Sequence, residues 1–197
     1  MRHELNLDGH AFRLRPIELS DASFVLALRN DPHAAPWLHP VSGLVEDQVE
    51  WLESYFERPG DWYWIVERRV DGTREGTIGL YDLDPARGRA LLGRWVLRPG
   101  SLAAAESALL VYRLAFDSIG LDEVYALVIT TNVSVISFHD RAGLERVGLV
   151  RAAFRIGETM VDAVEQRLAR ERWPVTEKIL ERHAVQASQL LERGTGR

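Results

Sequence analysis

The chain of 197 residues contains no cysteine, which removes disulfides, thiolate metal sites and a cysteine nucleophile from consideration. It is almost without lysine: Lys178 is the only one among 24 basic residues, a codon-bias pattern to which no function is attached. No apolar run approaches the roughly 18–20 residues of a membrane span. The N-terminus MRHELNLDGH lacks the apolar centre of a secretion signal, so a soluble, cytoplasmic protein with no membrane partner is expected. There is no excess of positive charge either. A net charge of −5 argues against nucleic acid as a main partner. The six histidines (His3, His10, His33, His39, His139, His183) are scattered with no close helical pair, so no metal is expected. Core material is present in ordinary measure, 46% hydrophobic against 27% charged, and the length fits one α/β domain, alone or with an added terminal helix.

The hydrophobic pattern sets out the elements. Residues 12–17 alternate as a first strand, and Ser20 with Asp21 supplies an N-cap for a helix to about Asn30, with Phe24, Val25 and Leu28 inward. Pro32, Pro36 and Pro40 make the next stretch a loop, after which residues 46–58 read as a helix stopped by Pro59 and Gly60. Strands 62–69, 76–82 and 89–97 form an antiparallel meander. Residues 103–119 are a long amphipathic helix. Residues 124–130, nearly all apolar, predict a strand buried on both faces. Residues 132–142 form a helix closed by Gly143, and 144–155 with 159–168 a hairpin turning near Gly157. Trp173-Pro174 marks a boundary before a C-terminal helix over 175–192, with Ile179, His183 and Leu190 at helical spacing. The division expected is a domain over 1–174 and a helical extension over 175–197, with a mixed α/β sheet carrying helices on both faces.

The chemistry concentrates in residues 91–144. First comes a strand, the short loop RPGSL, then the helix AAAESALLVYRLAF. A loop of small residues opening a helix offers unpaired backbone N–H groups and the positive end of the dipole, a site suited to pyrophosphate. Alone, such a loop is most often a plain turn and cap. Next comes a strand, Thr-Asn, and a short helix closed by glycine, YALVITTNVSVISFHDRAGL, in which Asn132 by itself is first a capping residue.

Together, in this order and at this spacing, the two features resemble the GNAT N-acetyltransferase superfamily, over residues 12–173. That family often carries an Asn, an apolar helix and a "Tyr-Glu-Lys-x-Gly-Phe" close; here Asn132 and then Phe138, His139, Asp140, Arg141, Ala142, Gly143 and Leu144 stand in register. The front end and the tail from Asp162 to Trp173 resemble the branch acetylating protein N-termini and nucleotide-linked amino sugars. The resemblance implies a mixed, mostly antiparallel sheet with a splayed strand pair, and acetyl-coenzyme A or another short acyl-coenzyme A as co-substrate.

It also implies site residues. Trp95, Val96 and Leu97 would face the pantetheine arm, with the Val96 or Leu97 N–H polarising the thioester carbonyl. Gly93 suits the bulge that starts the splay, or simple packing relief. Arg98 and Arg141 are candidates for the phosphates, alongside Gly100, Ser101, Leu102, Ala103, Ala104, Ala105 and Asn132. Two departures stand out. The phosphate loop, usually "Gln/Arg-x-x-Gly-x-Gly/Ala", reads here from Pro99 through Gly100, Ser101 and Leu102 to three alanines, and no frame restores Gly-x-Gly. His139 occupies the place of the general-acid tyrosine; with an ordinary pKa near 6.5 an imidazole can protonate a departing thiolate, or it can be a structural histidine.

The acceptor side is expected at Arg29, Asn30, Trp37, Tyr81 and Asp82. No base is singled out among Asp82, Asp84, Glu158 and Asp162, and DLDP reads first as an ordinary Asx-type turn. Three functions remain open: acylation of a small-molecule amine, foremost a nucleotide-linked amino sugar; acylation of a protein N-terminus; and a non-catalytic acyl-coenzyme A-binding module. A homodimer is one assembly left open.

Overall fold

The computed structural model describes residues 3–195. Its centre is a sheet of eight strands in the order β1-β2-β3-β4-β5-β6-β8-β7. These are β1 (Leu7–Asp8), β2 (Phe12–Pro16), β3 (Trp62–Arg68), β4 (Arg74–Asp84), β5 (Arg89–Leu97), β6 (Glu123–Ile129), β7 (Glu145–Ile156) and β8 (Thr159–Ala169). All neighbours are antiparallel except β5 and β6, which run parallel. The helices are α1 (Ala22–Arg29), α2 (Val45–Phe56), α3 (Ala104–Arg113), α4 (Val133–Ala142) and α5 (Trp173–Thr195). Mixed, mostly antiparallel and covered on both faces, the sheet is the one the sequence predicts.

Alternation along the strands assigns the faces. On β6, Val124 joins the core beneath α3, while Ala126 and Val128 meet Ile136 of α4 on the same side. Leu180 and Ala184 bring α5 to that side as well. The opposite face takes α1 and α2, where Val25, Leu52 and Tyr55 pack on Ile17, Tyr63 and Ile65. The first turn of α3 is tied to the N-terminal strands by Glu106. Its fully buried carboxylate accepts the backbone N–H groups of His10, Ala11 and Phe12.

Three expectations are corrected. The turn before α1 is a 3-10 turn, Leu19–Asp21, whose capping box joins Glu18 and Asp21 and leaves Ser20 out. Arg15 holds the Asp21 carboxylate through two bonds, so Asp21 belongs to a buried ion pair. β6 is not buried on both faces: α1 and α2 pack on β2 and β3, which leaves Tyr125 and Leu127 half-buried. In α5 the helical period holds but the stripe is shifted. Trp173, Thr176, Leu180, Ala184 and Ala187 are buried, whereas His183 and Leu190 are exposed. Trp173 sets that rotation by stacking on Phe116 and donating its indole N–H to Asp117. Among the described residues no helix is long and apolar enough to cross a membrane.

Candidate active site

β5 and β6 pair over only three positions, ending at Leu91 and Tyr125. β5 itself supplies the reason for the divergence. Gly79 of β4 pairs with Gly93, and the next pair is Thr77 with Val96, so β5 holds one residue too many. Arg94, at φ 47, takes up the excess. Such a bulge bends its strand and steepens the local twist. The Thr77 hydroxyl donates to the Arg94 carbonyl at 2.8 Å and holds the kink in place. Gly93 is required for space: a Cβ there would lie 2.4 Å from the Tyr81 hydroxyl oxygen.

The bulge leaves an open strand edge facing the splay. The Arg98 N–H donates to the Glu75 carbonyl on β4. With a period of two, the Val96 N–H also points to β4, and those of Trp95 and Leu97 point to the open edge. Beyond the strand, Gly100 adopts φ 78, a turn conformation suited to glycine. Ala103 is αR at φ −76 and ψ −7, so an alanine serves there without strain. The first bond inside the helix runs from the Ser107 N–H to the Ala103 carbonyl, so the amides of Ala104, Ala105 and Glu106 precede it at the helix end. An extended arm along β5 followed by a pyrophosphate at α3 fits this backbone. Arg98 and Arg141 are exposed beside it, with no carboxylate within ion-pair distance among the described residues.

His139 lies across the splay on the α3/α4 face. Its ring stacks on Trp95 at 6.0 Å and 13° and is 1% exposed. Nδ1 is 3.0 Å from Oε1 of Gln166 on β8. The Gln166 amide nitrogen donates to the Ile136 carbonyl and the Asp140 carboxylate, so its oxygen must accept from His139. Nδ1 therefore carries the proton, and Nε2 is a buried acceptor without a partner. Burial lowers the ring's pKa to about 4, with the Gln166 bond opposing the shift. At neutral pH this imidazole has no proton to give from Nε2. The Asn132 carboxamide oxygen accepts from the Val135 N–H and the Ser134 hydroxyl, so the observed bonds of this side chain belong to the helix cap.

The opposite face holds a cavity of about 370 Å³ between α1, α2, the loop over 38–44 and the sheet. Arg29, Gln48, Trp51, Tyr63 and Arg94 are among its walls. Asp61 grips the Arg94 guanidinium through two bonds, and the cation lies 3.9 Å from the Tyr81 ring centre and 5.3 Å from that of Trp51. Burial pushes the Tyr81 phenol up to about 12, so it stays a neutral donor at physiological pH.

Of the acceptor-side residues read from the sequence, Arg29 lines the cavity. Tyr81 lies one contact away, against Arg94. Asn30, the exposed C-cap of α1, is outside its lining, as are Trp37 and the exposed Asp82. The aromatic walls are Trp51 and Tyr63. Asp84 accepts from the Ala86 and Arg87 N–H groups as an Asx turn, and Asp162 braces the β7–β8 hairpin through Ala152 and Arg151. Sequence reading missed Arg94, Asp61 and Gln48. One signal was available: Arg94 is a lone charge in the apolar run LLGRWVL. Among the described residues no group of three or more metal-binding side chains converges.

A family model for the acetyltransferase (GNAT) domain matches residues 12–145. Among solved structures, apo FdhC, described as a nucleotide-linked sugar GNAT, is 26% identical at a TM-score of 0.74, covering 89% of this chain and 96% of that one. A GCN5-related N-acetyltransferase from Brucella melitensis shares the fold at 19% identity and a TM-score of 0.80, covering 91% and 85%. A SpeG spermidine N-acetyltransferase variant from Vibrio cholerae does so at 14% and 0.72, covering 84% and 98%. No curated protein sequence matches the chain significantly.

Proposed function

The chain belongs to the GNAT acetyltransferase family and is an acyl-coenzyme A-dependent acetyltransferase; from that premise we propose that it acetylates the primary amine of a nucleotide-linked amino sugar. The observation that carries this reading is the cavity beside the bulge, which combines arginine, amide and aromatic walls. Such walls suit a sugar ring with a phosphate attached. A polyamine would bring further positive charge against Arg29, and this counts against a spermidine-like acceptor. The sugar GNAT likeness points the same way.

In this reading the acyl donor extends along the open edge of β5, its phosphates meet the first-turn amides of α3 with Arg98 and Arg141, and the thioester carbonyl accepts from the Leu97 N–H. The acetyl group passes from sulfur to the amine nitrogen, which must be neutral to attack. The His139 Nε2 is a buried acceptor left unpartnered, so the part open to it is to receive a hydrogen bond and not to supply a proton.

Release of free coenzyme A thiol, followed across a nucleotide-linked amino sugar, glucosamine, spermidine and a peptide with a free N-terminus, tests the reading. The nucleotide-linked sugar is expected to give the highest kcat/KM. Equal or greater turnover of spermidine or the peptide sinks the substrate class, and no turnover of any amine despite acetyl-coenzyme A binding sinks the catalytic reading.

A further inference from the structure

The two guanidinium groups in the cavity wall differ in one respect. Arg94 is neutralised by Asp61, with both partners largely buried. Arg29 has no carboxylate within ion-pair distance among the described residues. Its bond to protein is from one terminal nitrogen to the His39 carbonyl at 2.8 Å, and its Nε is buried with no partner. Desolvation lowers its pKa, and Tyr63 is the one group that offsets this. Asp47 is the only carboxylate in the cavity lining; it is exposed at the first turn of α2 and does not pair with Arg29.

Gln48, one residue on, is 7% exposed and lines the same cavity, and among the described residues its amide makes no hydrogen bond to protein, its polar atoms staying accessible from the cavity. An uncompensated, partly desolvated cation with a buried unpartnered Nε is costly unless something else satisfies it, and the Gln48 amide beside it is free to bind. Here both face one space. The planar fork of a guanidinium matches the oxygens of a phosphate or a carboxylate, and a carboxamide matches a hydroxyl.

We propose that this cavity is an oxyanion receptor, in which Arg29 takes a phosphate or carboxylate of the acceptor and Gln48 takes a neighbouring hydroxyl. The inference rests on the acceptor reading above and deepens it: the acceptor is recognised by its negative charge as well as by its amine.

Calorimetry on protein saturated with coenzyme A, so that the donor's phosphate site is filled, tests it with three probes: glucosamine, glucosamine 1-phosphate and 2-amino-2-deoxyglucuronate. At least one charged probe is expected to bind about tenfold or more tightly than glucosamine, the size of a charge-assisted hydrogen bond. Which probe gains tells phosphate from carboxylate. Arg29→Gln removes that advantage and Arg29→Lys restores part of it, with binding of coenzyme A unchanged in both. Wild-type protein that binds neither charged probe better than glucosamine overturns the proposal, as does an advantage that survives Arg29→Gln. Should Arg29→Gln not fold, the wild-type comparison and Arg29→Lys decide. Turnover of a neutral amine with no charge advantage refutes the receptor alone and leaves acetyl transfer standing.

Discussion

Gln166 decides which nitrogen of His139 carries the proton. Both amide hydrogens of Gln166 are committed, at 3.1 Å to Ile136 and 2.9 Å to Asp140, and the remaining oxygen can only accept. The consequence for stability follows from linkage. The folded protein refuses a proton until about pH 4, whereas the unfolded chain takes one up near pH 6.5. Stability from this residue is intact above pH 6.5 and falls as the pH drops to about 4, by about 3 kcal/mol in all. His139→Phe should flatten that limb. Urea midpoints at pH 7 and 4.5 check it: a wild-type loss no larger than that of the variant contradicts the buried neutral imidazole.

Gly93→Ala is expected to destabilise the protein by about 1–3 kcal/mol, because the new methyl meets the Tyr81 phenol. Tyr81→Ser in the same chain removes the obstacle and should recover most of the loss. Chemical denaturation of the two single variants and the double variant measures the coupling. Additive effects would falsify the steric account.

Asp61→Ala leaves the Arg94 guanidinium charged, buried and ringed by aromatic side chains. A loss of about 3–5 kcal/mol is expected, as for other buried pairs broken on one side. Adding Arg94→Leu removes the orphaned charge. The double variant should then be less damaged than the sum of the two single variants, which thermal unfolding can decide.

The donor loop makes opposite demands at two small residues. Gly100→Ala forces a Cβ to φ 78 with open space around it, so the cost is backbone strain alone, about 1 kcal/mol. Its KM for acetyl-coenzyme A should rise. Ala103→Gly, which makes the loop look more like the family pattern, should not tighten donor binding, since Ala103 is already αR. It should lower stability by about 0.5–1 kcal/mol. A large gain in donor affinity from this change contradicts the loop geometry.

The sheet, its helices and the glycine-closed α4 were legible because they rest on local periods and caps: Asn132 and Gly143 bracket α4 where expected. β6 was misjudged because apolar composition does not reveal how far α1 and α2 reach over a sheet. Arg29 could be named as a lining residue at the end of α1, but its want of a carboxylate partner among the described residues is a long-range fact. Trp37 stands out in sequence because it sits in a Pro-rich loop, whereas Trp51, which lines the cavity, reads as one more apolar residue of an amphipathic helix. The Asp61–Arg94 pair spans 33 positions, and no local pattern announces it.

The single extra residue at Arg94 has a consequence for heredity as well as for geometry. Its backbone makes the bulge beside the β5–β6 splay, proposed for the donor, and its side chain walls the cavity proposed for the acceptor. A mutation there is pleiotropic by construction of the fold. On the proposed assignment, new acceptor preferences are more readily acquired through α1, α2 and the loop between them, because a change in β5 would disturb both substrates at once.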